Sequence, residues 1–257
     1  MATFIICIAA LFASLLTFFS GFGLGTILTP VFAVFFPIEI AISLTAVIHL
    51  LNNIFKLFLV GITKERDIIF RFGIPSMIAS FIGAWTLSKL AVNGIIFEYS
   101  LGTLVLSTSP IRFCIGLLII LFTLLELIPR FKSIHFDRKY LSIGGWISGY
   151  FGGLSGNQGA LRSMFLIKSG LSKESFIATG VFIACMVDVA RIPIYSTSFF
   201  NKNLWEYKWL LISTVISAFT GAYLGSILFK KITFAFLQII VSIALILVGL
   251  LIGFGFI

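Results

Sequence analysis

Ser155-Gly156-Asn157-Gln158 sets hydroxyl and amide groups between Gly152-Gly153 and Gly159, inside a stretch otherwise apolar enough to sit in lipid. Arg162 follows three residues past Gly159. Polar side chains at bilayer depth are costly without a purpose, and an arginine's fork of donors matches a ligand bearing oxygen anions. A second glycine run, Gly21-Phe22-Gly23-Leu24-Gly25 followed by Thr26, interrupts the first apolar stretch in the same way. A helix resuming after such a break points unpaired N–H groups and its positive dipole end into the membrane centre, which is the chemistry of an anion site. Glycines at this spacing also permit close helix packing, as Gly21/Gly25, Gly221/Gly225 and Gly249/Gly253 illustrate, so the glycines alone do not separate the two roles.

His49, Asn52, Asn53 and Lys56 fall at i, i+3, i+4 and i+7 of one long apolar run, and Thr45 extends the same face. Such a stripe must face the bundle or a wet path, not lipid. Asp188 and Arg191 occupy nearby places in the second half, and their spacing also suits an i,i+3 pair that only fixes packing. Arg162 has a structural alternative too, as an ion partner of Asp188. His49 and Asp188 are the titratable groups best placed to carry a coupling proton, although a lone membrane histidine also serves as a hydrogen-bonded spacer.

Composition states what must hold these groups. The chain has 257 residues, 60% of them hydrophobic, with 30 Phe and 11% charged residues. That is an integral membrane protein, with no room for a separate soluble domain. Its net charge of +9 reflects basic residues gathered in loops on one side, a topology signal and not a nucleic-acid footprint. Cys7, Cys114 and Cys185 stand apart from one another and from histidine, so they read as packing residues, and neither metal nor cofactor is expected. The N-terminus lacks a basic leader region, so the first apolar run is expected to stay in the mature chain.

Runs at 38–60, 72–91, 111–128, 175–192, 209–228 and 232–252 suit the roughly 17–25 helical residues a crossing needs. Shorter runs at 4–19, 26–36, 141–151 and 159–169 come in two pairs joined by the glycine breaks. An arm of about 11 residues reaches about 16 Å, half the membrane. Lys64, Arg66, Arg71, Arg130, Lys132, Arg138, Lys139, Lys168, Lys173, Lys230 and Lys231 mark one face as cytoplasmic, and the segments 92–110 and 193–204 as outward. On that count 141–169 enters and returns. The expected fold is an all-α single transmembrane domain over 1–257, with repeat one at about 1–130 and repeat two at about 138–257. Each repeat is a glycine-broken re-entrant hairpin plus three crossings, and the two are inverted. Eight crossings, two of them broken, is the competing topology.

Ser20 to Pro30, followed by Ala46-Val47-Ile48-His49-Leu50-Leu51-Asn52-Asn53, resembles the first repeat of the TauE/SafE family of sulfite exporter-like permeases. Gly152 to Arg162 resembles that family's second-repeat motif, and the likeness covers nearly the whole chain. The resemblance implies a bacterial inner-membrane permease for a small anion such as sulfite, an organosulfonate or a related sulfur-containing or carboxylate anion.

The expected function is therefore a secondary transporter with a midplane site. That site is drawn from Gly21, Gly23, Gly25, Thr26, His49, Asn52, Asn53, Ser155, Gly156, Asn157, Gln158, Gly159 and Arg162, with His49 and Asp188 as coupling candidates. The partners are the anion and the bilayer, with a coupling proton or sodium ion and a homodimer left open. A passive anion channel would use the same site. An intramembrane enzyme is disfavoured, because no two acids share an intramembrane face for general acid–base work.

Overall fold

The computed structural model describes residues 1–18, 23–62, 65–92, 97–128, 130, 134–199, 204–228 and 235–256. Gly21, together with Lys64, Lys132, Lys230 and Lys231 from the charge count, lies outside the described residues. The chain forms a helical bundle in which five helices are long and apolar enough to cross a membrane.

In chain order the helices are α1 (Ala2–Thr17), α2 (Leu24–Ala33), α3 (Ile38–Val60), α4 (Ile74–Val92), α5 (Pro110–Leu127), α6 (Leu141–Ser155), α7 (Gly159–Leu166), α8 (Lys173–Phe199), α9 (Lys208–Leu228) and α10 (Ala235–Gly253). A helical turn at Arg66–Ile68 and a π turn at Ile69–Gly73 lead into α4. The expected runs and arms all appear as helices, with ends shifted by a few residues. The segment 92–110, expected as a plain outward loop, instead carries an antiparallel pair, β1 (Phe97–Leu101) and β2 (Leu104–Thr108). Its alternation of Tyr99, Leu101, Leu106 and Thr108 was too short to stand out beside the helical runs. Tyr99 and Thr108 tie the pair to the carbonyls of Phe254 and Gly253 at the end of α10.

Local chemistry sets the helix ends. Pro110 opens α5 behind Ser109, whose hydroxyl accepts from the Arg112 N–H. Gly156 closes α6 in the left-handed region, at φ +81°, and donates its N–H to Gly152 O.

Glycines set the closest contacts. On α6, Gly145, Gly149 and Gly153 form one stripe against Phe72, Ser76 and Ser80, and Gly83 of α4 meets Tyr150 and Leu154 in return. The two helices therefore run in the same sense, and the end of α6 lies about halfway along the stretch from Arg66 to Val92. Likewise α1 lies along α9 in the same sense, Cys7 near Thr214, Leu11 on Gly221 and Leu15 on Gly225. The last helices of the two halves, α5 and α10, pair in opposite senses through Gly116 with Gly253 and Ile120 with Gly249. These glycine contacts thus each join an element of the first half to one of the second.

After its break the chain turns back along α6. Phe165 of α7 packs on Gly144 and stacks on Phe136 at 4.4 Å, while Phe136 N–H donates to Met164 O. Asp67 joins Arg71 and Arg138 at 2.8 Å each, and Lys168 lies 3.8 Å from Asp137. The start and end of the α6–α7 unit therefore sit together at one end of the bundle.

Candidate functional site

The two glycine breaks, far apart in sequence, touch. A Cβ on Gly25 would lie 2.8 Å from Gly156 O and 3.9 Å from the Thr45 methyl. The first turn of α2 and the last carbonyls of α6 thus share one spot, bordered by α3. Gly156 in turn faces Arg191 Nη1 and Thr29 Oγ1 of α2.

Arg191 is the centre of this spot and is 1% exposed. Its Nη1 donates to Gly152 O at 3.0 Å, so a cation meets the negative end of the α6 dipole. Nε and Nη2 reach Asp188 Oδ1 at 2.9 and 2.7 Å. The other carboxylate oxygen takes His49 Nδ1 at 2.6 Å. A carboxylate only accepts, so Nδ1 carries the hydrogen; Asn53 Nδ2 lies 3.1 Å from Nδ1 and 3.3 Å from Nε2, and of the two only Nε2 has a lone pair to accept from it. One turn further along α8, the Tyr195 hydroxyl donates to Gly153 O.

Lys56 has the matching place in the first half. Its Nζ donates to Thr17 Oγ1 at 3.3 Å and lies over the Phe18 ring, at the C-terminal end of α1. Asn52 Oδ1 accepts from Ser14 of the same helix at 3.0 Å. Each broken arm therefore ends on a buried cation carried by a long helix, Lys56 on α3 for one and Arg191 on α8 for the other. Arg162 stands in the first turn of α7, its N–H on Gln158 O, with its guanidinium against Gly180 of α8. It lies within electrostatic reach of Lys56, Asp188 and Glu126.

Several buried polar atoms here have no hydrogen-bond partner among the described residues. They include the hydroxyls of Thr26, Thr29 and Thr45, Asn52 Nδ2, both amide atoms of Asn157, Gln158 Oε1 and Arg191 Nη2, the last ion-paired to Asp188 but not hydrogen-bonded. Native interiors rarely leave such groups unmet, so they are available to a ligand or to water. Ser155, by contrast, is spent locally, donating to Phe151 O and accepting from Asn157 N–H.

Of the residues singled out from sequence, Gly25, Thr26, Gly156 and Asn157 gather where the breaks meet, and His49 faces Asp188 with Asn53 against its ring. Gly23 caps α2 in an extended conformation, and Gln158 and Gly159 open α7. Gly21 lies outside the described residues. The partner of Asp188 is Arg191 and not Arg162, because the i,i+3 spacing on α8 brings its guanidinium to the carboxylate directly. Sequence reasoning offered Arg191 as an i,i+3 partner of Asp188 and put Lys56 on the polar face of α3, but counted neither among the site residues. It also passed over Thr29, Tyr195 and Glu126, a carboxylate only 6% exposed near the end of α5. The corresponding places of Lys56 and Arg191 on α3 and α8 were the signal that could have promoted both.

The family model described as Sulfite exporter TauE/SafE matches residues 6–252. No curated protein and no solved structure matches the chain.

Proposed function

Since the chain belongs to the sulfite exporter TauE/SafE family, and so is a multi-pass membrane transport protein, we propose that it carries a small oxyanion through the meeting point of its two breaks. The contact of Gly25 with Gly156 is the observation that carries this reading. It brings the N-terminal turn of α2, the buried Arg191 and a set of unpartnered hydroxyls and amides to one place. Arg191 there is paired with Asp188, and Arg162 lies within electrostatic reach of Asp188, Lys56 and Glu126, so the linked set holds three cations against two carboxylates, and a surplus of positive charge suits an anion. Sulfite, an organosulfonate or a related sulfur-containing or carboxylate anion fits that chemistry, with the bacterial inner membrane as its setting.

The repeats are proposed as inverted, each with a re-entrant hairpin, within one domain. Residues 61–65 reach at most about 18 Å, too little to recross the membrane, so α3 and α4 run in opposite senses. Phe36 meets Tyr207 and Phe55 stacks on Phe219, so α3 runs with α9. Gly73 meets Ile183 and Met186 while Ser80 reaches Val187 O, so α4 runs with α8. A two-fold axis in the membrane plane produces that pattern. The return of Phe165 to Gly144 supports the hairpin over a broken crossing.

A binding screen of the purified protein against sulfite, sulfate, thiosulfate, sulfoacetate and small carboxylates tests the reading, followed by accumulation in proteoliposomes. Stabilisation by at least one anion and uptake against its gradient are expected; an anion that only equilibrates would make the protein a channel. Arg162→Ala is expected to lower uptake at least a hundredfold at normal expression. Unchanged uptake would remove Arg162 from the site.

A further inference from the structure

We propose that His49 and Asp188 form a proton site that controls whether Arg191 is free to hold the anion, so that one proton is taken up with each dianion bound. The inference rests on the anion site just described.

Asp188 is already the anion that Arg191 holds. Nε donates to Oδ1, Nη2 is ion-paired to the same oxygen at 2.7 Å without a hydrogen bond of its own, and Nη1 donates to Gly152 O. A substrate oxyanion arriving at Gly156 meets a guanidinium whose charge is neutralised. The His49 ring has one open acceptor, Nε2, held only by the Asn53 amide. A proton from the open side of the membrane adds to Nε2, and no heavy-atom bond is made or broken. Asn53 turns its carbonyl oxygen to the new N–H. The imidazolium then serves as the counter-ion of Asp188 through the 2.6 Å contact at Oδ2, and Arg191 can turn two donors to the substrate.

The charges facing the pair set the direction of this exchange. Arg162 faces Asp188 from α7, and Cys185, Arg191 and Tyr195 face it from α8, while Lys56 of α3 and Glu126 of α5 lie within electrostatic reach of Arg162. The polar groups already described on α4, α6, α1 and α2 carry no charge: Ser80, the carbonyls of Gly152 and Gly153, Ser14 with Thr17, and Thr26 with Thr29. With His49 neutral, the three cations exceed the two carboxylates by one. A dianion with one proton brings the sum to zero, the cheapest state for a buried site. Proton and anion therefore favour each other's binding, and the coupling is reciprocal.

Thiosulfate and sulfate are suitable probes, because both remain dianions between about pH 5 and 8, where histidine titrates. Calorimetry of the purified protein in buffers of different ionisation enthalpy should show about one proton taken up per anion, with affinity falling about tenfold per pH unit above the titration of the pair. In His49→Gln the proton uptake and the pH dependence should both vanish. Binding to the wild type without proton uptake, or uptake that survives in His49→Gln, overturns the proposal and leaves the anion site standing. The chain has only two histidines, so nitrogen resonances of His135→Asn report His49 alone. A ring that passes from singly to doubly protonated in this range supports the proton site even if neither probe binds, an outcome that would instead refute the anion reading. A ring that stays in one form refutes the proton site.

Discussion

Arg191→Ala is expected to destabilise the protein by about 3–5 kcal/mol and to abolish transport. The substitution leaves the Asp188 carboxylate buried with half its partners gone and strips the cation from the end of α6. Arg191→Lys should not rescue it, since one ammonium cannot span Asp188 Oδ1 and Gly152 O as the planar fork does. Combining Arg191→Ala with Asp188→Asn should recover most of the stability, because no unpaired charge remains, while transport stays absent. Thermal unfolding of detergent-solubilised protein, read beside anion uptake, separates the two effects. A stable and active Arg191→Ala would show that the guanidinium is dispensable to both fold and site.

Gly153→Val should prevent recovery of a folded monodisperse protein. A Cβ at Gly153 would sit well inside contact distance of the Ser80 carbonyl oxygen, and that atom belongs to the α4 backbone, which cannot swing away as a side chain could. Separating α6 from α4 would break the Gly149–Ser76 contact on the same stripe and move the carbonyls that Tyr195 and Arg191 hold. Overpacking of this kind costs typically about 1–3 kcal/mol even where the neighbours are side chains. Gly153→Ala should show the same defect in milder form. Gly23→Ala is the contrast, because its Cβ would meet only Thr26 Oγ1 at 3.4 Å and its backbone is extended. Size-exclusion profiles of the three variants decide the matter; a monodisperse Gly153→Val would mean that α6 and α4 are free to part.

Much of the framework was legible because hydrocarbon imposes a simple rule. A backbone in lipid must satisfy itself in helices, so every long apolar run became one, and the breaks stayed at the two glycine runs, with α2 starting at Leu24 behind Gly23 and α6 and α7 separated by Gly156–Gln158. Basic residues such as Arg71, Arg138 and Lys168 stand together at one end of the bundle, as the charge count expected. The strand pair at 97–108 was not legible, since five-residue alternation is a weak signal. The glycine stripe on α6 was hidden for a different reason: spacing shows that Gly145, Gly149 and Gly153 share a face, but says nothing of which helix comes close to it.

The sequence by itself determined that this chain lives in a membrane, where its helices lie, where they break, and that the long helices carry polar faces which lipid would not tolerate. Only the tertiary structure decided how those faces meet. It brought Gly25 to Gly156, gave Arg191 rather than Arg162 to Asp188, set His49 on the same carboxylate and sent Lys56 to the end of α1. The physical reason is that periodicity is a property of one helix, whereas the partner of a buried charge is fixed by the packing of several. Glycine stripes, by letting backbones touch, determine which charges come within reach of one another.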